Sequence, residues 1–253
     1  MPFEVITLPC LSDNYAFLMH NPATRETALV DAPEAAAVRN ALEERGWGLD
    51  RILITHHHSD HIDGVEELRS VYGSEVIGAE ADAHRLPKLD VAVCDGGTVS
   101  ACGEEAKVVD VSGHTVGHIA YLFPGAMFTA DSLMALGCGR VFEGTFEMMW
   151  NSLAKLAALD PANMIYSGHE YTESNARFAL SIEPNNPDLL ARTEAIAKAR
   201  SEGQPTVPSR LSLELATNPF LRARLPEVKE LIGAPAASDA ESFAEIRRRK
   251  DRF

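Results

Sequence analysis

Residues His56-His57-His58-Ser59-Asp60-His61 hold four of the nine histidines of this 253-residue chain. A uniform spread would place about 0.2 in a window of that size. Imidazoles packed this densely read as ligands, because neutral imidazole nitrogen and carboxylate oxygen suit Zn, Fe or Mn. The preceding run, Arg51-Ile52-Leu53-Ile54-Thr55, has the β-branched apolar character of a strand. If strand geometry continues, His56 and His58 point one way and His57 the other. Asp60 and His61 follow where the chain turns and could face a second ion. The bland alternative is a polar surface loop or a pH-sensing histidine patch.

One short loop cannot complete two coordination spheres. His114 follows the expected strand 107–111, Asp131 ends the strand 126–130, and His169 follows the strand 163–167. Each alone is an ordinary polar loop residue. Four strand ends that all deliver His or Asp form a stronger pattern, because sites in layered folds gather at strand termini. H-E-x-x-H is absent, and Gly113 and Gly117 argue against a helical pair of His114 and His118. His118 therefore reads as support for the ligands.

The first two-thirds of the chain alternate short strands with helices. Strands are expected at 3–8, 15–19, 27–31, 51–55, 75–78, 107–111, 118–123, 126–130 and 163–167. Helices are expected at 33–45, 62–72 and 146–159. After about residue 170 the strands stop, and 173–182, 187–202 and 239–250 are helical in composition. The reading is an α+β chain with a sheet-containing domain at 1–170 and a helical domain at 171–253.

The formal net charge is −14, from 23 basic and 37 acidic residues. Such a chain repels nucleic-acid backbones and anionic lipid, so neither is expected as a partner. The longest stretch free of Asp, Glu, Lys and Arg, 111–130, contains two histidines and a Pro-Gly turn and reads as strands, not a membrane span. No signal peptide is evident. The four cysteines form no C-x-x-C, so reduced thiols in the cytoplasm are the expectation. One local exception stands out: Arg247, Arg248, Arg249, Lys250 and Arg252 crowd the last seven positions beside a single acid, Asp251.

The 55–61 run, T-H-H-H-S-D-H, resembles the T-H-x-H-x-D-H signature of the metallo-β-lactamase superfamily. Further motifs are similar to one branch, glyoxalase II (hydroxyacylglutathione hydrolase): Asp13-Asn14-Tyr15, GHTVGH (113–118), TADS (129–132), GCGRVFEG (137–144), GHEYT (168–172), PTVPS (205–209), TNPFLR (217–222) and RRRKDRF (247–253). The resemblance spans nearly the whole chain. It implies an αββα sandwich followed by a helical C-terminal domain, with two divalent metal ions, zinc first and iron or manganese tolerated by the same donors. His56, His58 and His114 would hold one ion, Asp60, His61 and His169 the other, and Asp131 would bridge them.

Two adjacent ions can hold a bridging water and lower its pKa towards roughly 7. The resulting hydroxide would attack a thioester carbonyl, and no Ser or Cys nucleophile is needed; Cys138 reads as structural. The resemblance implies a substrate class, S-(2-hydroxyacyl)glutathione and chiefly S-D-lactoylglutathione, and a place as the second step of methylglyoxal detoxification. Glutathione carries two carboxylates and one ammonium, and by the resemblance Arg247 and Lys250 bind it, with Arg140, Phe142 and Tyr171. Arg248, Arg249 and Arg252 read instead as a basic helix end that opposes the helix dipole. Some family members have Lys in place of Arg140 and Tyr in place of Phe142, so here the hydroxyl is gone and Phe142 can only pack. Alternatives are a glutathione persulfide dioxygenase, similar in fold but with one iron, another hydrolase of the superfamily, or a metal-binding module without turnover. Monomer is the default expectation.

Overall fold

A computed structural model describes residues 2–253, and the chain divides into two compact units. Of the described residues, the first comprises 2–111 and 117–130, the second 112–116 and 131–253.

The first unit opens with β1 (Glu4–Cys10), β2 (Asn14–His20) and β3 (Thr27–Val30), then α1 (Ala35–Arg45) and β4 (Arg51–Leu53). A four-residue helix α2 (Ser59–Ile62) and α3 (Val65–Tyr72) lead to β5 (Glu75–Ala79) and β6 (Val91–Val93). Then come β7 (Thr98–Ala101), β8 (Glu104–Asp110), β9 (Ile119–Phe123) and β10 (Ala126–Ala130). The first six strands form one sheet in sequence order, antiparallel from β1 to β3 and parallel from β3 to β6. Strands β7 to β10 pair antiparallel in order.

Every residue of β2 is buried, because both faces of its sheet are covered. Ala16 and Leu18 join Leu29, Ile52, Val38, Leu42, Val65 and Leu68 in a core shared with α1 and α3. On the other face Phe17 meets Phe128 of β10 at a ring separation of 5.8 Å, and Phe123 meets Phe128 edge-on at 5.9 Å. A helix layer and two facing sheets thus make up this unit.

Strand β4 ends at Leu53, two residues earlier than expected; Ile54 N still donates to Ile77 O of β5 at 2.8 Å, and the chain leaves the ladder at Thr55. Thr55 N donates to the Asp31 carboxylate at 2.9 Å, and the Thr55 carbonyl accepts from Ile119 N at 3.0 Å. The expected helix 62–72 is α3, which starts three residues later at Val65, and a separate short helix, α2, ends at Ile62. Gly64 sits between them, where a Cβ would fall 2.7 Å from the Glu34 carbonyl carbon. Its N–H donates to Ala32 O at 2.9 Å rather than back along a continuing helix.

The second unit holds β11 (Leu133–Met134), β12 (Gly137–Cys138), α4 (Phe146–Ala157), β13 (Met164–Ser167), α5 (Thr172–Ile182), α6 (Pro187–Ser201) and β14 (Ser209–Arg210). Four helices close the chain: α7 (Leu211–Thr217), α8 (Pro219–Arg222), α9 (Pro226–Leu231) and α10 (Asp239–Arg252). The helical character after residue 170 has one exception, β14, which pairs antiparallel with β13. Residues that favour caps open these helices. Asn186 and Asn218 cap α6 and α8 with proline directly behind, and Ser238 with Glu241 forms a complete capping box on α10. Phe243 of α10 packs against Trp150 of α4 and Phe220 of α8, at 6.1 and 5.9 Å between ring centroids. No helix of the described residues is long and apolar enough to cross a membrane.

Candidate metal and substrate site

In the first unit the donors converge on Asp31, the residue directly after β3, at φ +57°. Its carboxylate accepts from Thr55 N at 2.9 Å, Thr55 Oγ1 at 2.8 Å and His61 Nδ1 at 2.8 Å. A carboxylate only accepts, so His61 carries its proton on Nδ1 and presents Nε2 as a lone pair. The Thr55 hydroxyl, having donated to Asp31, accepts from His56 Nδ1 at 3.0 Å. That fixes the same tautomer on His56, whose Nε2 lies 3.1 Å from His58 Nδ1. Anions on the far nitrogen orient metal-binding histidines in this way and raise their basicity. Asp31 was not singled out in the sequence. Its signal was an acid closing a strand, which is too common to read alone.

His57 points the other way, as strand alternation predicted, although no strand is present there. Its Nδ1 pairs with the buried Asp82 at 2.9 Å. His118 is buried and stacks on His56, with ring centroids 4.5 Å apart and planes 12° from parallel. It supports a ligand candidate from behind. Asp60 stands on α2, its Oδ2 held by Asn14 Nδ2 at 2.9 Å and 3.9 Å from His61 Nε2.

In the second unit Asp131 is the centre. Its Oδ2 lies 3.4 Å from His114 Nε2 and 3.3 Å from His169 Nε2. His114 Nδ1 is 2.7 Å from the Arg140 carbonyl, which can only accept, so the proton sits on Nδ1 and the lone pair of Nε2 faces a carboxylate oxygen. Two acceptors facing each other at that distance require a cation or a proton between them, so the donor set suits a divalent metal ion. Gly139 makes the approach possible. A Cβ there would meet the Asp131 carbonyl oxygen at 2.0 Å and His114 Nδ1 at 2.9 Å, so the GCGR turn can pass only as glycine.

The residues expected at the substrate differ in exposure. Phe142 and Tyr171 are exposed, Phe142 edge-on to His114 at 5.3 Å and Tyr171 stacked on His169 at 4.7 Å. Arg140 is exposed and lies over the Phe142 ring at 5.9 Å. Arg247 is buried, only 5% exposed. Its Nη1 donates to the Cys138 carbonyl at 3.0 Å, and its Nη2 lies 2.9 Å from Asp251, which also sits 3.5 Å from Arg140 Nε. Lys250 is half-buried, donates to the Ser174 carbonyl at 3.3 Å and lies over the Phe178 and Phe253 rings. Its pKa is lowered to about 8 by burial and by the neighbouring Arg247 and Arg177 charges. Arg248 covers the Phe146 ring and Arg249 pairs with Glu245, both structural roles along α10. Cys138 is buried and its thiol is pushed up to about 11 by desolvation, unsuited to nucleophilic duty.

The chain resembles known proteins over its whole length. Residues 15–101 match the metallo-β-lactamase superfamily model, and residues 170–253 match the model of the hydroxyacylglutathione hydrolase C-terminus. A protein of Cereibacter sphaeroides named hydroxyacylglutathione hydrolase is 61% identical over the whole of both chains. Those of Ruegeria pomeroyi, at 60% over both full lengths, and Methylococcus capsulatus, at 49% over 99% of this chain and 98% of its own, bear the same name. Among solved structures, ETHE1 from Myxococcus xanthus aligns with a TM-score of 0.69 at 24% identity, covering 98% of this chain and 90% of its own. TTHA1623, solved in a di-iron-bound form, aligns at 0.60 with 21% identity over 86% of this chain and all of its own. Both show the fold alone, and it is the metallo-β-lactamase fold expected from the histidine signature. With relatives this similar over its entire length, the chain belongs to the hydroxyacylglutathione hydrolase family.

Proposed function

We propose that this chain is a metal-dependent thioester hydrolase that cleaves S-(2-hydroxyacyl)glutathione, chiefly S-D-lactoylglutathione, to D-lactate and glutathione. The observation that carries the reading is full-length identity of 61% and 60% to relatives named for that activity. The donor sets support it: His56, His58 and His114 for one ion, Asp60, His61 and His169 for the other, Asp131 for both, with zinc the first candidate for each. Bound divalent ions supply Lewis acidity, which activates water and polarises a carbonyl.

The chain's own residues do the rest. Asp31 and Thr55 hold His56 and His61 in the tautomer that presents Nε2, and the Arg140 carbonyl does the same for His114. We propose residues 171–253 as the part that carries substrate recognition, together with the 137–144 turn. The exposed Arg140 and the half-buried Lys250 supply positive charge for glutathione carboxylates, while Tyr171 and Phe142 provide ring faces beside His169 and His114. Arg247 serves the clamp by holding Asp251, which in turn meets Arg140. A thiolate leaves readily, so no strong general acid is required of the protein.

The test is thioester cleavage of S-D-lactoylglutathione by metal-loaded protein, chelated protein and the Asp131→Ala variant, with metal content measured alongside. Cleavage by the loaded protein alone is expected. One iron per chain with oxygen consumption and no thioesterase activity would overturn the reading.

A further inference from the structure

Asp13-Asn14-Tyr15 is a family-like motif to which the reaction above gives no task. Asn14 opens β2 opposite Cys10 of β1, across the tight turn 11–13 in which Leu11 takes φ +50°. The side chain is buried, 4% exposed, and reaches 46 residues along the chain. Its amide nitrogen donates to Asp60 twice, to the carboxylate Oδ2 at 2.9 Å and to the backbone carbonyl at 3.0 Å.

Asp60 needs such a hold. It sits on a helix of only four residues, with a side chain 39% exposed. A ligand must surrender rotamer freedom before it can bind an ion, and the Asn14 amide sets part of the Asp60 geometry in advance. The helix cannot satisfy the Asp60 carbonyl. The N–H four residues on belongs to Gly64, which donates to Ala32 O instead. One primary amide, with two N–H groups, meets both needs at once and sets main chain and carboxylate in a single geometry. A carboxylate or hydroxyl at position 14 could not make both donations.

We infer that Asn14 is a positioning residue that orients Asp60 for the second metal ion, the one assigned to Asp60, His61 and His169. The inference rests on the two-ion reading above. Asn14 reaches no ligand of the His56-His58-His114 set through these bonds, so its influence is selective for one ion.

The test titrates Zn(II) into metal-free protein against a chromophoric chelator, which resolves two affinities without any turnover. The unaltered chain is expected to take two ions. Asn14→Ala and the isosteric Asn14→Asp should weaken the second ion at least about tenfold and leave the first within about twofold, as removal of an outer partner of a ligand commonly does. In an Asp60→Asn background, Asn14→Ala should add little to the loss, because the two residues act as one unit. Should Asn14→Ala fold poorly, as read from the melting of the metal-free protein, Asn14→Asp carries the measurement. Two ions bound by the unaltered chain with unchanged affinities in the variants, or both ions weakened alike, would overturn the role of Asn14. Fewer than two ions in the unaltered chain would overturn the two-ion reading first, and this inference with it.

Discussion

Arg247 donates through Nη1 to the backbone carbonyl of Cys138 at 3.0 Å, so the basic last turns of α10 are tied to β12 of the GCGR segment. That single contact recasts the basic tail. Its most buried cation holds protein groups, the Cys138 carbonyl and Asp251, and places Arg140 by way of Asp251. Arg247→Ala is expected to cost about 1.5–3 kcal/mol, the range of hydrogen bonds made by charged groups. Combined with Lys250→Ala, it should raise KM for the glutathione thioester more than it lowers kcat. An unchanged KM would leave the tail with a purely structural part.

If Lys250 meets a glutathione carboxylate as proposed, substrate affinity should depend on pH. Burial and the charges of Arg247 and Arg177 lower its pKa to about 8, while Cys138 nearby pulls it up slightly. A glutathione carboxylate binds the protonated form, so KM should rise as pH climbs through about 8, and Lys250→Met should remove that inflection. The stability contribution has a defined sign as well. The unfolded chain holds this proton up to about 10.4. Between about 8 and that value it binds more protons than the folded chain, so this group favours folding increasingly as pH rises across the window. Lys250→Met should flatten that part of the stability profile in denaturant melts at several pH values.

Asp31→Asn removes the carboxylate that accepts from Thr55 N, Thr55 Oγ1 and His61 Nδ1. The amide can still accept but can also present a donor, which frees His61 to adopt the other tautomer. Metal affinity should fall about 10–100-fold, as for other partners of metal-binding histidines. Competition titration with Zn(II) reads this directly. Affinity equal to that of the unaltered chain would show that Asp31 has no part in orienting the ligands.

The Cys138 thiol should have no catalytic duty. Desolvation pushes it up to about 11, so the thiolate is scarce near neutral pH. Cys138→Ala should keep kcat within about twofold, and thiol-directed alkylation of the native protein should leave activity in place. Its carbonyl, which alanine retains, is the atom that Arg247 uses. Inactivation by the substitution in a protein of unchanged melting temperature would overturn this.

Gly139→Ala tests the close passage of the GCGR turn. The added Cβ would fall 2.0 Å from the Asp131 carbonyl oxygen, so the backbone must shift rather than a side chain. Loss of bound metal together with a lowered melting temperature is expected, measured by metal analysis and calorimetry.

Much of this was legible in the chain itself. The histidine run named its own chemistry, and the alternation of His56, His57 and His58 held even though β4 stops at Leu53. The contacts show it: His56 Nε2 lies 3.1 Å from His58 Nδ1, while His57 Nδ1 pairs with Asp82 at 2.9 Å. The helical composition after residue 170 was also legible, since capping residues and proline mark helix starts locally. Strand β13 was legible, but its partner β14 was missed because it has only two residues, too few for any periodicity. Asp31 was invisible as a functional residue, and Asn14 stood in a family-like motif without a legible task. Their partners lie 24 to 46 positions away, and nothing local in either residue announces them.

The sequence by itself determined the ligand chemistry, the family and the sense of the fold, because residue type, spacing and local propensity are properties of neighbours along the chain. The tertiary structure decided which nitrogen each histidine presents, which carboxylate holds which ligand, and that Arg247 is spent on the protein while Arg140 stays exposed. Those outcomes depend on hydrogen bonds and burial between distant segments. Such interactions are worth their energy only once folding has excluded water and set the groups within about 3 Å of one another.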